Sequence, residues 1–374
     1  MDVIFKSVEL LEKLLPILQS LPLWARYVVS FWLITGVIIW TSVFFYRLVS
    51  PQNELNEVSS QQSGQSIVQQ QTIENSPAST NIQGRDIIIE ATPRPIEATT
   101  ARERLGRLSV TYSPQGFIDS AQHGDTAAVK LFVEAGMNVN SKADNYGRTA
   151  LMEAAQAGHL DTVEALIRKK AEANAQDELG DTALILAANR GYLEVVRTLL
   201  RKHAEPNIQN VAGRTALRAA AENGHKLVVL ALLDNGARLE TRDREEQQTP
   251  LLAAAMHHQT EVVQVLLDRG SDANVRDTYG HSALIPAARA GHVDMVKALL
   301  THGADVNAAA KDGRTALMGA AVNGHIEVIA LLLEHQADLK LVDKEGFTAL
   351  IWAESRGQAK IKELLQKAAA GHNM

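Results

Sequence analysis

The tripeptide Thr-Ala-Leu begins at Thr149, Thr182, Thr215, Thr315 and Thr348, with Thr249-Pro250-Leu251 and Ser282-Ala283-Leu284 filling the gap. Successive starts lie 33, 33, 34, 33, 33 and 33 residues apart. A fixed period of this length marks one supersecondary unit repeated along the chain. Other positions keep step. Paired alanines follow five and six places after each start, as at Ala154-Ala155, Ala187-Ala188 and Ala320-Ala321. A glycine comes three places later at Gly158, Gly191, Gly224, Gly291, Gly324 and Gly357, and then Leu pairs such as Leu199-Leu200 and Leu332-Leu333.

Each position has a physical reason. Thr, or Ser282 in one unit, suits an N-cap whose hydroxyl accepts from an early backbone N–H. The alanines let two helices approach closely, and the glycine ends the first helix in a left-handed conformation. Val195, Val196, Leu199 and Leu200 form the buried stripe of a second helix. Asn174, Asn207, Asn274 and Asn307 are each followed six residues later by glycine, which supplies a turn between units. A unit this small cannot bury its apolar face alone, so neighbours must stack.

The pattern xxGxTALxxAAxxGHxxxVxxLLxxGAxxN, recurring from about residue 114 to the C-terminus, resembles the ankyrin-repeat family. That resemblance implies an all-α solenoid of helical hairpins with β-turn tips over 114–374, with about eight repeats including caps. The family reads Thr-Pro-Leu-His where this chain has Met152, Ile185, Arg218, Leu252, Ile285, Met318 or Ile351 in the His place. This departure is expected to remove the hydrogen bonds that the His gives. Gly116 to Asn140 lacks the tripeptide but keeps Gly124, Val129, Leu131 and Asn140, as an N-terminal cap would. The last unit has Glu354 in an alanine position and ends in Lys360, Lys362, Glu363 and Lys367, a polar outer face.

The first hundred residues differ in character. Tyr27 to Tyr46 carries no charge, and its twenty residues would reach about 30 Å as a helix, enough to cross a bilayer. Trp24, Tyr27, Trp40 and Tyr46, with Arg26 and Arg47, flank it as interfacial residues do. A single transmembrane helix is therefore expected over 24–47. Lys13 and Arg26 before it against Arg47 after it give a slight bias towards a cytoplasmic N-terminus. Residues 1–23 have helical periodicity, with Ile4, Val8, Leu11, Leu15 and Leu18 opposite Asp2, Lys6, Glu9 and Lys13. They are expected as an amphipathic helix. Residues 48–113, with runs such as SSQQSGQS, read as a flexible tether with a reach on the order of 45 Å. Within it, Asp86 to Glu90 could form a short docking strand, and Arg102, Arg104 and Arg107 make a small basic cluster interrupted by Glu103.

Charge and composition narrow the function. The chain has a net charge of -6, and from residue 114 onward 28 Lys+Arg stand against 33 Asp+Glu. Counterion-release binding to nucleic acid requires the opposite sign. There are no cysteines, so thiol catalysis, disulfides and Cys-type zinc sites are ruled out. No phosphate-binding Gly-rich loop, nucleophile elbow or His-Glu-x-x-His appears. His159, His225, His292 and His325 recur in register, each expected to serve its own helix terminus. His257-His258 is irregular, and His258 replaces the helix-ending glycine in a unit where Glu240 also replaces the turn Asn. No catalytic residue, metal, cofactor or small-molecule substrate is expected.

The resemblance implies a partner-binding face built from the turn tips and the exposed ends of the first helices. Carried over by position, it comprises Tyr146, Arg148, Leu179, Arg190, Arg214, Met256, His257, Tyr279, His281, Arg289, Arg314, Phe347 and Arg356. Tyr and Arg are enriched at binding hot spots. The expected function is a membrane-tethered scaffold that captures a protein partner. The alternative is an oligomer assembled through the N-terminal helices, with the array as a spacer.

Overall fold

The computed structural model describes residues 95–143 and 146–371, all within the second of two units of the chain, Asp86–Met374. The helix expected over 1–23, the span expected over 24–47 and the strand at 86–90 lie outside the described residues. Among the described residues, no helix is long and apolar enough to cross a membrane.

One helix, α1 (Pro95–Arg107), precedes eight described hairpins. These are α2 (Pro114–Gln122) with α3 (Thr126–Glu134), α4 (Ala150–Ala157) with α5 (Leu160–Arg168), and α6 (Ala183–Arg190) with α7 (Leu193–Arg201). Next come α8 (Ala216–Glu222) with α9 (Lys226–Asp234), and α10 (Pro250–Met256) with α11 (Thr260–Asp268). The last three pairs are α12 (Leu284–Ala290) with α13 (Val293–Thr301), α14 (Ala316–Asn323) with α15 (Ile326–Glu334), and α16 (Ala349–Ser355) with α17 (Ala359–Gly371). First helices pack on first helices and second helices on second helices, each on its neighbour in sequence. The tips contribute two isolated β-bridges, Lys142–Thr149 and Ala309–Thr315, and no strand is found among the described residues.

Local chemistry explains why each hairpin forms. The hydroxyl of Thr182 accepts from the Ile185 N–H at 3.2 Å, and Thr149, Thr215, Thr249, Thr315 and Thr348 cap their helices in the same way. Ser282 is the exception. Its hydroxyl is buried with no hydrogen-bond partner, and α12 starts two residues later. Pro286 supplies the reason, because it lacks the N–H that would bond to the Ser282 carbonyl and close the first turn. The alanine pairs are buried between first helices, and Val228, Val229 and Leu232 are buried in α9.

The turn asparagines do more than shape turns. Asn207 accepts from the Arg238 N–H and donates to the Gly236 carbonyl, both in the next unit. Asn174 and Asn274 make the same pair of bonds, and Asn307 accepts from the Asp338 N–H. In the divergent unit, Glu240 accepts from the Asp272 N–H at 3.1 Å, so it keeps the acceptor half of the bridge. A second series of bonds joins the tips. The N–H groups of Glu178, Val211, Arg244, Thr278, Lys311 and Lys344 each donate to a carbonyl of the preceding tip at 2.8 or 2.9 Å.

The tether boundary needs correction. Residues 95–107, expected at the end of a flexible linker, form α1, which packs on α3 where a preceding unit's second helix would lie. Ala101 and Leu105 are buried there. Arg102, from the basic cluster of the expected linker, donates to the Ala135 carbonyl and sits 4.3 Å from the centre of the Tyr112 ring. Tyr112 donates to the same carbonyl and stacks on Phe132. A solenoid end must cover its last apolar face, and α1 with Tyr112 does so.

Leu105→Ala should destabilise the N-terminal hairpin by about 2–5 kcal/mol, the usual range for a fully buried leucine. Amide hydrogen exchange should then rise in residues 95–135 more than in 216–371. Unchanged exchange would mean that α1 is not part of the folded unit.

Candidate partner-binding surface

Four tips are organised by a buried carboxylate. Asp177, Asp243, Asp277 and Asp343 are all buried, and each accepts from two backbone N–H groups of its own tip through one oxygen. Asn210 accepts from the Arg214 N–H in the equivalent tip. The second carboxylate oxygen meets a side chain on the partner face. Arg148 reaches Asp177 at 3.3 Å, Arg218 reaches Asp243 at 2.9 Å, and His281 reaches Asp277 at 3.1 Å. Trp352 Nε1–H donates to Asp343 at 2.8 Å. Burial pushes the Asp343 carboxyl up, but the Phe347 N–H, Trp352, the Glu345 N–H and the Arg314 charge outweigh it and hold it below the usual carboxylate range. With Asn210 and Ala310 in the intervening places, these aspartates keep the 33- or 34-residue period of the threonines, a signal present in the sequence.

This arrangement sorts the thirteen expected face residues. Arg148 is committed to the fold, with Glu153 at 3.0 Å, Asp177 at 3.3 Å and Gln156 at 2.6 Å. Tyr146, 56% exposed, lines a recess of about 520 Å³ with Arg148 and Arg190, together with Tyr192, which the sequence reading did not single out. In the middle of the array, Glu222 sits 3.8 Å from Arg214 and 3.6 Å from His257. Leu179 and Met256 are exposed. Tyr279 is exposed beside His281, their ring centres 6.0 Å apart. His281, Arg289, Arg314 and Arg356 come together around one further recess, with Trp352 as an unanticipated wall. Phe347 packs edge-on against that indole at 5.2 Å.

Arg218 also changes an expectation. It stands in the family's His place, where hydrogen bonds were expected to be lost. Its buried guanidinium instead bonds to Glu222, Asp243 and the Gln248 side chain at 2.8, 2.9 and 3.1 Å. A charged donor has therefore replaced the missing ring in that unit.

The in-register histidines serve the preceding unit's helix rather than their own. Nε2–H of His159, His225 and His325 donates to the carbonyls of Gln122, Asn189 and Arg289, at 2.9, 3.1 and 3.1 Å. Each ring crosses over the glycine that ends that helix. A Cβ on Gly191 or Gly291 would fall 2.5 Å from the ring's Nδ1, so a side chain there would force the ring out of its place. At one joint the rule is broken. His258 occupies the glycine position at φ +63°, and its ring lies 4.7 Å from that of His292. Burial, then the neighbouring His258 and His325, push the His292 imidazole down from its usual value. Groups of three or more His, Cys, Asp or Glu arranged to hold a metal ion are absent among the described residues.

A lowered imidazole pKa means that the unfolded chain binds the extra proton more readily. The stabilising contribution is full above the unfolded value of about 6.5 and is lost as pH falls below it. His258→Gly should remove the positive-φ strain and open the seat for His292, raising stability by about 0.5–1 kcal/mol. Urea unfolding at pH 7.5 and 5.5 should show a smaller acid loss in the variant than in the parent. An equal loss would exclude this joint as the source.

Comparison with known proteins bears on the whole array. A family model described as ankyrin repeats (3 copies) matches residues 117–177, 154–243, 239–310 and 307–374. No curated protein matches the chain at a significant level. The matched segments run without a break from residue 117 to residue 374, over the same eight hairpins that stack in the structure, and the chain belongs to the ankyrin-repeat family.

Proposed function

We propose that the chain is a membrane-tethered scaffold that captures a protein partner on the face made by its tips and first-helix ends. The carrying observation is the ankyrin array over 117–374, a repeat type that serves as a protein-interaction scaffold. The composition of the face supports this reading. Tyr146, Leu179, Val211 and Tyr279 present large exposed side chains on its tips, and Arg190, Arg214, Arg289 and Arg356 stand beside or beyond them. Aromatic and arginine side chains contribute disproportionately to binding energy. Residues 24–47 serve as the single-pass anchor in this proposal, and the polar segment after them is the tether. Tethering raises the effective concentration of the array towards partners at the same surface, so a modest intrinsic affinity suffices. The N-terminus is placed on the cytoplasmic side and the array on the other.

Replacing Arg190, Arg214 and Tyr279 together with alanine should abolish partner capture by full-length protein and leave the helical circular dichroism spectrum intact. Capture at equal affinity would show that the face is wrongly assigned. Protease protection in sealed vesicles checks the orientation. Crosslinking of full-length protein in detergent, set against 95–374, shows whether association resides in the N-terminal segment, as a purely structural oligomer would require.

A further inference from the structure

We propose that the recess between α12, α14 and α16 is a docking site for an acidic segment of a protein partner, one that carries an apolar side chain beside its carboxylates. The proposal rests on the protein-binding reading above and makes it specific. The recess holds about 290 Å³ and is lined by three arginines, Arg289, Arg314 and Arg356, against a single carboxylate, Asp312. This positive excess sits in a folded region that is acidic as a whole.

Two unpaired arginines converge at this recess, whereas the recess beside Tyr146 has Arg190 alone with Asp119 and Glu153 on its wall. Towards the N-terminal end, Arg148 is neutralised by Glu153 and Asp177, and Arg218 by Glu222 and Asp243. Around this recess, Arg289 and Arg356 are exposed and make no ion pair among the described residues. Arg314 is shared between Asp312 at 3.6 Å and Asp343 at 3.9 Å, both long for a charged hydrogen bond. A partner carboxylate can therefore take up guanidinium groups without displacing an internal one.

Shape adds the apolar half of the specificity. Gly319 occupies the first-helix position that holds Glu153, Leu186, Ala219, Ala253, Pro286 and Trp352 in other units. A Cβ at Gly319 would come within 3.2 Å of the Arg289 Cβ, so the bare backbone keeps the notch open. Trp352 forms a wall, its ring 5.0 Å from the Arg314 guanidinium and held by the bond to Asp343. The notch thus offers an apolar seat beside unsatisfied positive charge, which complements an acidic, Leu-containing stretch of peptide.

The test titrates detergent-solubilised full-length protein with a labelled hexapeptide of Glu, Asp and Leu, and with the matching peptide of Gln, Asn and Leu, read by fluorescence anisotropy. The acidic peptide should bind and the neutral one should bind at least about ten-fold more weakly. Arg289→Glu and Arg356→Glu should each weaken binding about ten-fold or more, and raising salt should weaken it further. Gly319→Leu should abolish binding with no change of charge. Gly319→Ala serves as the milder variant, and circular dichroism checks the folding of both. Arg197→Glu, on the second helix α7 and away from the face, should leave the affinity unchanged. No binding of the acidic peptide, equal binding of the neutral peptide, or equal binding by the Gly319 and Arg289 variants overturns the proposal. So does saturation of the recess by inorganic phosphate or phosphatidylserine vesicles in place of peptide. Because the peptide assay does not use the Arg190, Arg214 and Tyr279 variant, failure here leaves the broader face assignment to be judged by partner capture.

Discussion

Every structural feature of the array depends on the interface between one hairpin and the next. A single hairpin of short helices exposes as much apolar surface as it covers, and its tip leaves backbone groups without partners. Stacking resolves both problems together. Alanine pairs and Val/Leu stripes bury themselves against their equivalents in the neighbouring unit. Three sets of polar bonds then fix the register: asparagines reaching the next unit, tip N–H groups reaching the previous tip, and histidines reaching the previous first helix. Register matters because a slip of one residue would break all three sets at once.

The same bonding determines what the partner face can offer. Buried tip aspartates draw cations inward, so an arginine on this face either supports the fold or remains available, depending on how many carboxylates surround it. Arg148 and Arg218 belong to the first group, and Arg289 and Arg356 to the second. In the unit between them, Ala310 stands where the other tips have Asp or Asn, so that tip has no buried carboxylate to satisfy. Asp312 instead accepts from the Arg314 N–H, and the guanidinium is left loosely held. A single loss from the repeat pattern thereby releases positive charge on the surface.

Departures from the repeat are the most informative positions in this chain. Pro286 uncaps one helix, His258 replaces a glycine and removes one histidine bond, and Arg218 inserts a buried charge where a neutral ring is usual. Two of these, Pro286 and His258, fall in adjacent units, so the helix start at α12 and the crossing at His292 are both altered in the same part of the array. Other joints keep the glycine but vary its cover, with Tyr192, Gln259 and Gln358 over Gly158, Gly224 and Gly324 in place of histidine. Because each unit contacts only its neighbours, the effect of a departure stays near the joint where it occurs.

The hairpins, their caps and their stacking order were legible in the sequence, because threonine caps, helix-ending glycines and leucine stripes act within a few residues of themselves. The period was enough to place all eight units. Tertiary structure alone decided which of the thirteen face residues are free, that α1 closes the N-terminal end, and that histidines serve the preceding unit. Those outcomes depend on contacts some 29 to 37 residues apart, such as Arg148 with Asp177 or His159 with Gln122. A local pattern specifies each unit's shape, whereas the state of a charge depends on which neighbours the stack brings within hydrogen-bond reach.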